Sequence, residues 1–310
     1  MKNIHLNIEK AKKYLTNNEL VAIPTETVYG LAGNAYSNRA VKKIFKLKKR
    51  PLTNPLIIHY YRIKDLKKDC LLNKTFNKLY SKFCPGPLTF VLNKKKNSNL
   101  SKYVNANKKT IAVRFPKNQI AQKLLSKLKF PLAAPSANIS SRLSPVTARD
   151  VLDEFGNKVK SILNGGKTKI GIESTVIDLT SKISILRPGG ITIEQLEKAL
   201  KHKIKLKKIG KNIKSPGQLK FHYSPGIPVR LNAKYPKKNE AFIKFSGKVK
   251  YKNNYFILSK KGNMKEATRN LFSILRLIKK KGYSSIAVGK IPCKGLGIAI
   301  NDRLEKASNK

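Results

Sequence analysis

The sequence predicts an α/β fold divided into two domains. Over the first two hundred residues, short apolar runs alternate with stretches whose apolar residues recur at helical spacing. A polar, lysine-rich stretch follows, and then a second and shorter series of the same kind. At 310 residues the chain is also longer than one hydrophobic core usually supports. We therefore expect a domain with a mixed sheet, followed by a smaller α/β domain.

The elements of the first domain follow from hydrophobic periodicity. Apolar residues at helical spacing, Ile8, Ala11 and Leu15, precede a strand-like run over 20–23. Further helices are predicted over 40–47 and 119–128. The β-rich runs predict strands over 56–58, 88–92, 111–113, 174–179 and 183–186. The last two are joined by a polar turn, which indicates a strand pair.

The domain boundaries follow from a change in composition. Residues 201–214 carry few large apolar side chains, and Ser215, Pro216 and Gly217 are turn residues. We predict a first domain over 1–203, a linker over 204–226 and a second domain over 227–310. Four short strands and two amphipathic helices make the second domain Rossmann-like: strands over 229–231, 241–245, 255–258 and 285–288, helices over 267–279 and 296–307. It lacks the G-x-G-x-x-G fingerprint of dinucleotide binding.

Composition limits the class of protein. The formal net charge of +51 fits either an RNA-binding surface or a general enrichment in lysine. We favour the second explanation, because the lysines occur along the whole chain. There is no apolar stretch of roughly 20 residues and no secretory signal at the N-terminus. The cysteines, Cys70, Cys84 and Cys293, have no metal-ligand spacing, so we expect reduced thiols and a cytoplasmic protein.

Two polar segments near strand ends carry candidate ligand-binding groups. The first, PTETVYGL over 24–31, offers hydroxyl groups and a glycine that allows a tight turn. The second runs over 48–59 and places Lys48 and Arg50 just before a proline, where cations can clamp phosphate or carboxylate. His59 ends an apolar run, and a histidine there is either structural or functional. Each segment alone is also compatible with an ordinary turn.

Two further segments complete the candidate site. Arg114 lies inside the apolar run of TIAVRFP and needs an anionic partner when buried. Because acidic residues are scarce, we favour a ligand as that partner over a protein carboxylate. The segment over 133–140 is rich in small residues and presents Ser136 and Asn138, as a ligand loop or as a serine-rich turn. Ser174 and Arg187 follow in ESTV and LRPG, and Arg187 repeats the placement of an arginine at a strand end.

The absent motifs restrict the chemistry. The sequence has no phosphate-binding G-x-x-x-x-G-K-[ST] loop, no G-x-S-x-G elbow and no H-E-x-x-H pair. Glu26 and Glu173 are the carboxylates nearest to these segments. Cation clamps, hydroxyls and a metal ion held mainly by substrate phosphates therefore fit better than a nucleophilic triad or a protein-held metal.

Taken together, these segments resemble the YrdC-like threonylcarbamoyl-AMP synthase family. The resemblance includes PTETVYGL, the K-x-R and NPLIIH segment, CPGPLT, TIAVRFP, APSAN, ESTV and LRPG, in this order. SPGQLKFHYSP over 215–225 and GIAINDRLEKA over 297–307 are similar to the longer, two-domain form. The resemblance implies a twisted mixed sheet with helices around a positive cavity, and a small Rossmann-like C-terminal domain.

The resemblance also implies an activity. Members of the family convert L-threonine, bicarbonate and ATP, with Mg²⁺, to threonylcarbamoyl-AMP and pyrophosphate. This adenylyl transfer makes them nucleotidyltransferases. A separate complex then modifies an adenosine of tRNA, so contact with tRNA or with that complex is implied as a possible further interaction.

Site residues carry over by position. Lys48 and Arg50 would be the catalytic cations. Threonine would be held by Thr27, His59, Arg114 and Ser174. ATP would be held by Arg50, Asn54, Thr110, Ser136, Asn138, Ser144, Arg187 and, as part of a lid, Tyr223. No protein ligand for a metal is implied. One departure is Lys49, which stands where the family often has glycine.

Three alternatives remain on sequence alone. The first is a YrdC-like RNA-binding protein without enzymatic activity, which the charge and the fold permit. The second is a carbamoyl-transfer enzyme of hydrogenase maturation, which would need further domains with paired cysteines that this sequence lacks. The third is a paralogue with altered chemistry, which the retained Lys48, Arg50, Ser136 and Asn138 argue against.

Overall fold

The computed structural model describes residues 3–207, 214–217, 221–247 and 253–309. The helices are α1 (Ile8–Thr16), α2 (Asn38–Lys48), α3 (Ile63–Asp69), α4 (Lys74–Phe83), α5 (Gln119–Ser126), α6 (Ala148–Phe155), α7 (Ile193–Leu200), α8 (Met264–Lys280) and α9 (Leu296–Ser308). A 3-10 turn follows α6 at Gly156–Lys158.

Two sheets are present in this part of the chain. The strands are β1 (Ile4–His5), β2 (Val21–Ile23), β3 (Gly30–Asn34), β4 (Ile57–His59), β5 (Leu88–Asn93), β6 (Thr110–Arg114), β7 (Leu132–Ala133), β8 (Ile162–Leu163), β9 (Thr175–Asp178), β10 (Ser184–Arg187), β11 (Lys205–Leu206), β12 (Val229–Arg230), β13 (Glu240–Lys244), β14 (Tyr255–Ile257) and β15 (Ser285–Val288). The large mixed sheet has the order β1-β8-β2-β3-β7-β4-β6-β5-β9-β10-β11, and the small sheet has the order β12-β15-β13-β14. All pairs in the small sheet are parallel.

The predicted mixed α/β fold is confirmed. Strands β9 and β10 form the antiparallel pair expected from the polar turn between them. The small parallel sheet with α8 and α9 is the predicted second α/β unit. The division at 203 and 226 stays a prediction. Within the predicted linker, β11 pairs with β10, and Ser224 donates a backbone hydrogen bond to Ser141 of the first domain. Part of the predicted linker, residues 208–213 and 218–220, lies outside the described residues.

Helix α2 shows how the sequence places charge beside the sheet. Ser37 caps its N-terminus by accepting a hydrogen bond from the Ala40 backbone. Its buried face ends at Lys48, so the ammonium group points into the protein. The helix stops at Lys49, which adopts the left-handed conformation with φ 49°. Glycine tolerates this conformation best, and this explains why glycine suits the position that Lys49 occupies.

The two units share a hydrophobic cluster. Val28, Leu143, Val146 and Ile172 of the first unit pack with residues of α8 and α9. Tyr223 belongs to the same cluster. Since burial of apolar area stabilises an interface roughly in proportion to that area, α8 and α9 are held against the loops that carry the candidate site.

None of the described helices has the length and apolar character that spanning a bilayer requires.

Candidate active site

One narrow cavity gathers most of the predicted site residues. Seven of them line it: Arg50, His59, Arg114, Ser136, Ser174, Arg187 and Tyr223. The free volume is about 30 Å³, which is room for only a few water molecules. With three arginines and one carboxylate, Glu173, in its wall, the cavity favours an anionic ligand.

Arg50 is fixed by its own loop. Its Nε donates to the Asn54 carbonyl at 2.9 Å, and Nη2 donates to Asn54 Oδ1 at 2.5 Å and to the Pro55 carbonyl at 2.8 Å. The side chain is buried, and burial and then Arg187 lower its pKa to about 9, so it stays charged at neutral pH. Asn54 thus orients the guanidinium.

Arg187 joins the ends of two strands. Its Nε and Nη2 donate to the Ser174 carbonyl at 3.1 and 2.9 Å, and Nη2 also donates to Ser174 Oγ at 3.1 Å. A Cβ on Gly189 would lie 2.4 Å from the Ser174 carbonyl carbon, so only glycine permits this approach. Ser174 Oγ is in turn 2.7 Å from the hydroxyl of Thr89.

Arg114 has a protein carboxylate as a partner. Its Nη2 donates to Glu26 Oε1 at 2.7 Å, and both side chains are buried. The expectation that a ligand would be the partner of Arg114 was therefore incomplete, because a threonine carboxylate would have to share the guanidinium with Glu26. The register pairs Arg114 with His59 on one side and with Thr89 on the other, so the three lie in a row.

Lys48 lies one layer behind the cavity. Its Nζ donates to the backbone carbonyls of Ser136 and Asn138, each at 2.5 Å. Only 1% of the residue is exposed. Burial, and secondarily Arg50, lower its pKa well below the usual range. Lys48 therefore holds the APSAN segment in place from behind.

Ser144 connects to the wall of the cavity through a carboxylate. Its hydroxyl donates to Glu173 Oε1 at 2.5 Å, while Arg303 of α9 donates to Glu173 Oε2 at 2.9 Å. Burial alone would raise the pKa of Glu173, but Arg303 and then Arg187 lower it to about 2. Glu173 is therefore ionised at neutral pH.

The remaining predicted residues lie at different distances from the cavity. Thr27 is fully buried, and its hydroxyl is 2.8 Å from that of Thr25, which lines the cavity instead. Thr110 begins β6, whereas Arg114 ends it, so the two are roughly 13 Å apart along the strand. Of the described residues, those lining the cavity do not include Thr110. Its assignment to ATP stays a prediction.

Two linker residues close the cavity. Tyr223 is fully buried at φ 63°, its ring stacks on Phe272, and the Arg303 guanidinium lies 5.1 Å from its ring centroid. His222 lines the cavity beside it. Gly217 adopts φ 84°, and a Cβ there would lie 2.5 Å from Arg187 Cδ. The linker therefore occupies space next to the arginines.

Several buried polar atoms in and near the cavity make no hydrogen bond within the described residues. Within the described residues, atoms without a hydrogen-bond partner include Asn54 Nδ2, His59 Nδ1, Asn138 Oδ1, His222 Nδ1, Tyr223 Oη and Arg303 Nη2. Such atoms are costly to bury unless something bonds them, and three of them, on His59, His222 and Tyr223, belong to residues that line the cavity, which is typical of a ligand site.

His59 and His222 are neutral in the folded protein. Burial is the main cause that lowers each pKa to about 3; Arg114 adds to it at His59, and the cations of the site add to it at His222. A neutral imidazole offers one donor and one acceptor nitrogen. Neither ring adds positive charge to the cavity.

Acidification should therefore destabilise the protein. The folded-state pKa of both histidines lies below the unfolded value of 6.5, so the unfolded state binds more protons. Their contribution to stability is full above pH 6.5 and is lost as the pH falls below it. From pH 7 to pH 5 we expect a loss of roughly 2 kcal/mol per histidine. Urea unfolding at both pH values measures this loss.

The matched control is the double variant His59→Gln, His222→Gln. Carboxylates stay ionised over this range, so the variant should lose far less stability between pH 7 and pH 5 than the unchanged protein. Equal losses in the two proteins would contradict the assignment.

Sequence reasoning assigned no role to several residues that the site uses. Thr89, His222 and Arg303 belong to motifs noted for resemblance alone, and Glu26 and Glu173 were noted only as nearby carboxylates. All five residues lie in motifs that the sequence analysis noted, but the residues that they contact are distant in sequence. The described residues contain no group of three or more His, Cys, Asp or Glu side chains placed to hold a metal ion.

Comparison with known proteins defines the class of this fold and site. A family model for Sua5, YciO and YrdC proteins, described as "Telomere recombination", matches residues 13–189. A model described as "Threonylcarbamoyl-AMP synthase, C-terminal domain" matches residues 191–309. The crystal structure of YciO of Escherichia coli shares the fold of the first unit, with a TM-score of 0.53 and 23% sequence identity. The match covers 60% of this chain and 93% of the YciO chain.

Full-length relatives narrow the class to one family. The threonylcarbamoyl-AMP synthase of Pyrococcus abyssi is 39% identical, over 97% of this chain and 94% of the relative. The threonylcarbamoyl-AMP synthase of Bacillus subtilis is 35% identical, over 97% of this chain and 92% of the relative. The crystal structure of P. abyssi Sua5 complexed with L-threonine superposes with a TM-score of 0.90, at 36% identity, over 97% of this chain and 94% of that one. The chain belongs to the threonylcarbamoyl-AMP synthase family.

Proposed function

We propose that this protein is an L-threonylcarbamoyladenylate synthase, a nucleotidyltransferase that uses L-threonine, bicarbonate and ATP. The observation that carries the proposal is the convergence of Arg50, Arg114 and Arg187 on one cavity. Two anions must meet in this reaction, and buried cations reduce their repulsion. The full-length similarity to synthases supports this activity over the RNA-binding alternative.

Threonine occupies the Arg114 side of the cavity in this proposal. Its carboxylate takes the part of the guanidinium that Glu26 leaves free, and the neutral His59 lies beside it. The amine must lose its proton before it attacks the carbon of bicarbonate-derived carbon dioxide. The carbamate forms as the nitrogen–carbon bond is made, and the amine proton leaves to solvent.

ATP occupies the side of Arg50 and Arg187. A carbamate oxygen attacks the α-phosphorus, the bond to the β-phosphate bridging oxygen breaks, and pyrophosphate leaves with that electron pair. Arg50 and Arg187 stabilise the charge that develops on the phosphates. Positioning of the two reactants supplies much of the remaining acceleration.

The donor set fits a magnesium ion held by ATP. Glu173, the carboxylate in the cavity wall, already accepts hydrogen bonds from Ser144 and Arg303, so the triphosphate oxygens are the better ligands. When bound, the ion would neutralise phosphate charge and orient the leaving group.

Movement of the residues around Tyr223 completes the cycle. The free volume beside Tyr223 is too small for ATP and threonine together, so His222 and Tyr223 would have to move away to admit them. Their return would exclude water from a labile mixed anhydride. We also propose that the product serves threonylcarbamoyladenosine formation in tRNA and that the protein works in the cytoplasm, in keeping with its free cysteines.

An amino-acid panel tests the proposed function. Purified protein is given ATP, Mg²⁺ and bicarbonate with each amino acid in turn, and pyrophosphate is measured. Threonine should stimulate release at least tenfold more than serine or valine. Absence of threonine-dependent pyrophosphate release would refute the synthase assignment and favour the alternative hypothesis of an RNA-binding protein.

A further inference from the structure

Arg303 is a side chain of the second unit that reaches the wall of the cavity. It is 1% exposed, although it lies on α9. Its Nε donates to Glu173 at 2.9 Å, and its Nη1 donates to the Pro188 carbonyl at 2.8 Å. Both partners lie in segments that hold Arg187 and Ser174. One buried cation therefore links α9 to the catalytic loops.

Glu173 divides its two oxygens between different partners. Oε2 accepts from Arg303, and Oε1 accepts the hydroxyl proton of Ser144 at 2.5 Å. An ionised carboxylate is costly to bury, and contact with a cation offsets that cost. As long as Arg303 supplies that cation, the proton of Ser144 is committed to Glu173. The hydroxyl oxygen of Ser144 can then act toward a ligand only as an acceptor.

We propose that Arg303 is a positioning residue for the nucleoside half of ATP, acting through Glu173 on Ser144. The proposal rests on the proposed function and on the contact between Ser144 and ATP that the family resemblance implies. An acceptor at Ser144 suits a ribose hydroxyl or a base amine, both of which donate hydrogen bonds. It does not suit a phosphate oxygen, which only accepts. The second unit then determines the direction of one hydrogen bond to the nucleotide, in which Ser144 accepts and the nucleotide donates.

The linker covers this segment in the closed structure. Ser144 is fully buried, and Ser224 pairs with the segment just before it, since its backbone donates to Ser141 at 2.8 Å. Linker residues also contact α9, since Lys306 donates to the Gly217 carbonyl at 2.9 Å and the Arg303 guanidinium lies 5.1 Å from the Tyr223 ring centroid. These linker residues and α9 therefore pack against each other beside the segment that carries Ser144.

Binding of nucleotide fragments tests the proposal. Dissociation constants for adenosine and for inorganic pyrophosphate are measured by calorimetry on the full chain. Arg303→Met should weaken adenosine binding about tenfold and leave pyrophosphate binding within twofold. A variant with unchanged adenosine binding would overturn the proposal. So would tighter adenosine binding, because Arg303 would then act by holding the linker closed.

A second variant separates positioning from folding. Arg303→Met leaves a buried carboxylate without its cation and can destabilise the protein. Arg303→Met with Glu173→Gln removes that charge, and the amide oxygen still accepts from Ser144. We expect the double variant to recover adenosine binding to within threefold of the unchanged protein. Failure to recover would show that Arg303 does not act through Glu173.

Arg230→Met is the matched control. Within the second unit, Arg230 Nη2 lies 2.6 Å from Oε2 of the buried Glu240, so the loss of Arg230 also leaves a carboxylate without its cation. It should lower the melting temperature without changing either dissociation constant. A loss of adenosine binding equal to that of Arg303→Met would mean that general destabilisation explains both.

These tests are independent of turnover. If the unchanged protein shows no threonine-dependent pyrophosphate release, the proposed function fails whatever the variants do. If it is active but Arg303→Met binds adenosine normally, only the inference about Arg303 fails.

Discussion

Replacing Arg114 with methionine should sharply weaken the response of pyrophosphate release to threonine while ATP binding survives. The guanidinium is buried and is the cation beside His59, where the threonine carboxylate is proposed to bind. Loss of one partner of a buried, hydrogen-bonded charge pair costs about 2–5 kcal/mol. The Michaelis constant for threonine should therefore rise roughly 30-fold to several-thousand-fold. Initial rates over a range of threonine concentrations measure the change.

Glu26 complicates this experiment and also supplies its control. Without Arg114 the Glu26 carboxylate loses its cation and keeps only the backbone amide of Lys117, at 2.8 Å. The variant Arg114→Met with Glu26→Gln removes the stranded charge. This double variant should be more stable than the single variant, and its Michaelis constant for threonine should be equally high. Equal loss of ATP and threonine binding in this variant would show that the site is divided differently.

Replacing Lys48 with methionine should lower kcat/KM by about 10²-fold, the size of effect that a misplacement of about 1 Å of a supporting segment can have. Its Nζ donates to two carbonyls of the APSAN segment, so the variant loses the anchor of Ser136. Steady-state kinetics with threonine and ATP varied in turn would locate the loss in kcat or in either Michaelis constant.

Lys46→Met provides the matched control for this variant. Lys46 lies in the same last turn of α2, but its side chain is exposed. The same loss of charge there should change kcat/KM less than threefold. A similar fall in both variants would attribute the effect of Lys48 to the net charge of the protein.

The sequence predicted the elements with a long and regular pattern. Helices α2 and α8 and strands β5 and β6 carry enough apolar residues at one period to be recognised. The helices α6 and α7 were not predicted, although α5, which is also eight residues long, was predicted. Their capping boxes, Thr147 with Asp150 and Thr192 with Gln195, are local signals that would have located both N-termini.

The candidate site was predicted as a set of cations and hydroxyls but not as a set of pairs. Arg114 and Glu26 are 88 positions apart, and Arg303 and Glu173 are 130 positions apart. No local spacing relates such residues, and only the sheet order and the packing of α9 bring them together. The cation types were therefore readable from the sequence, whereas their partners required the fold.

The separation of Glu173 and Arg303 has a consequence for synthesis on the ribosome. At about 5–20 residues per second, the ribosome adds the 130 intervening positions in roughly 6–26 s. Throughout that interval the emerging catalytic unit holds a carboxylate whose cation has not yet been made. A nascent chain should therefore complete this part of the cavity wall only after α9 has been synthesised and has folded against the first unit.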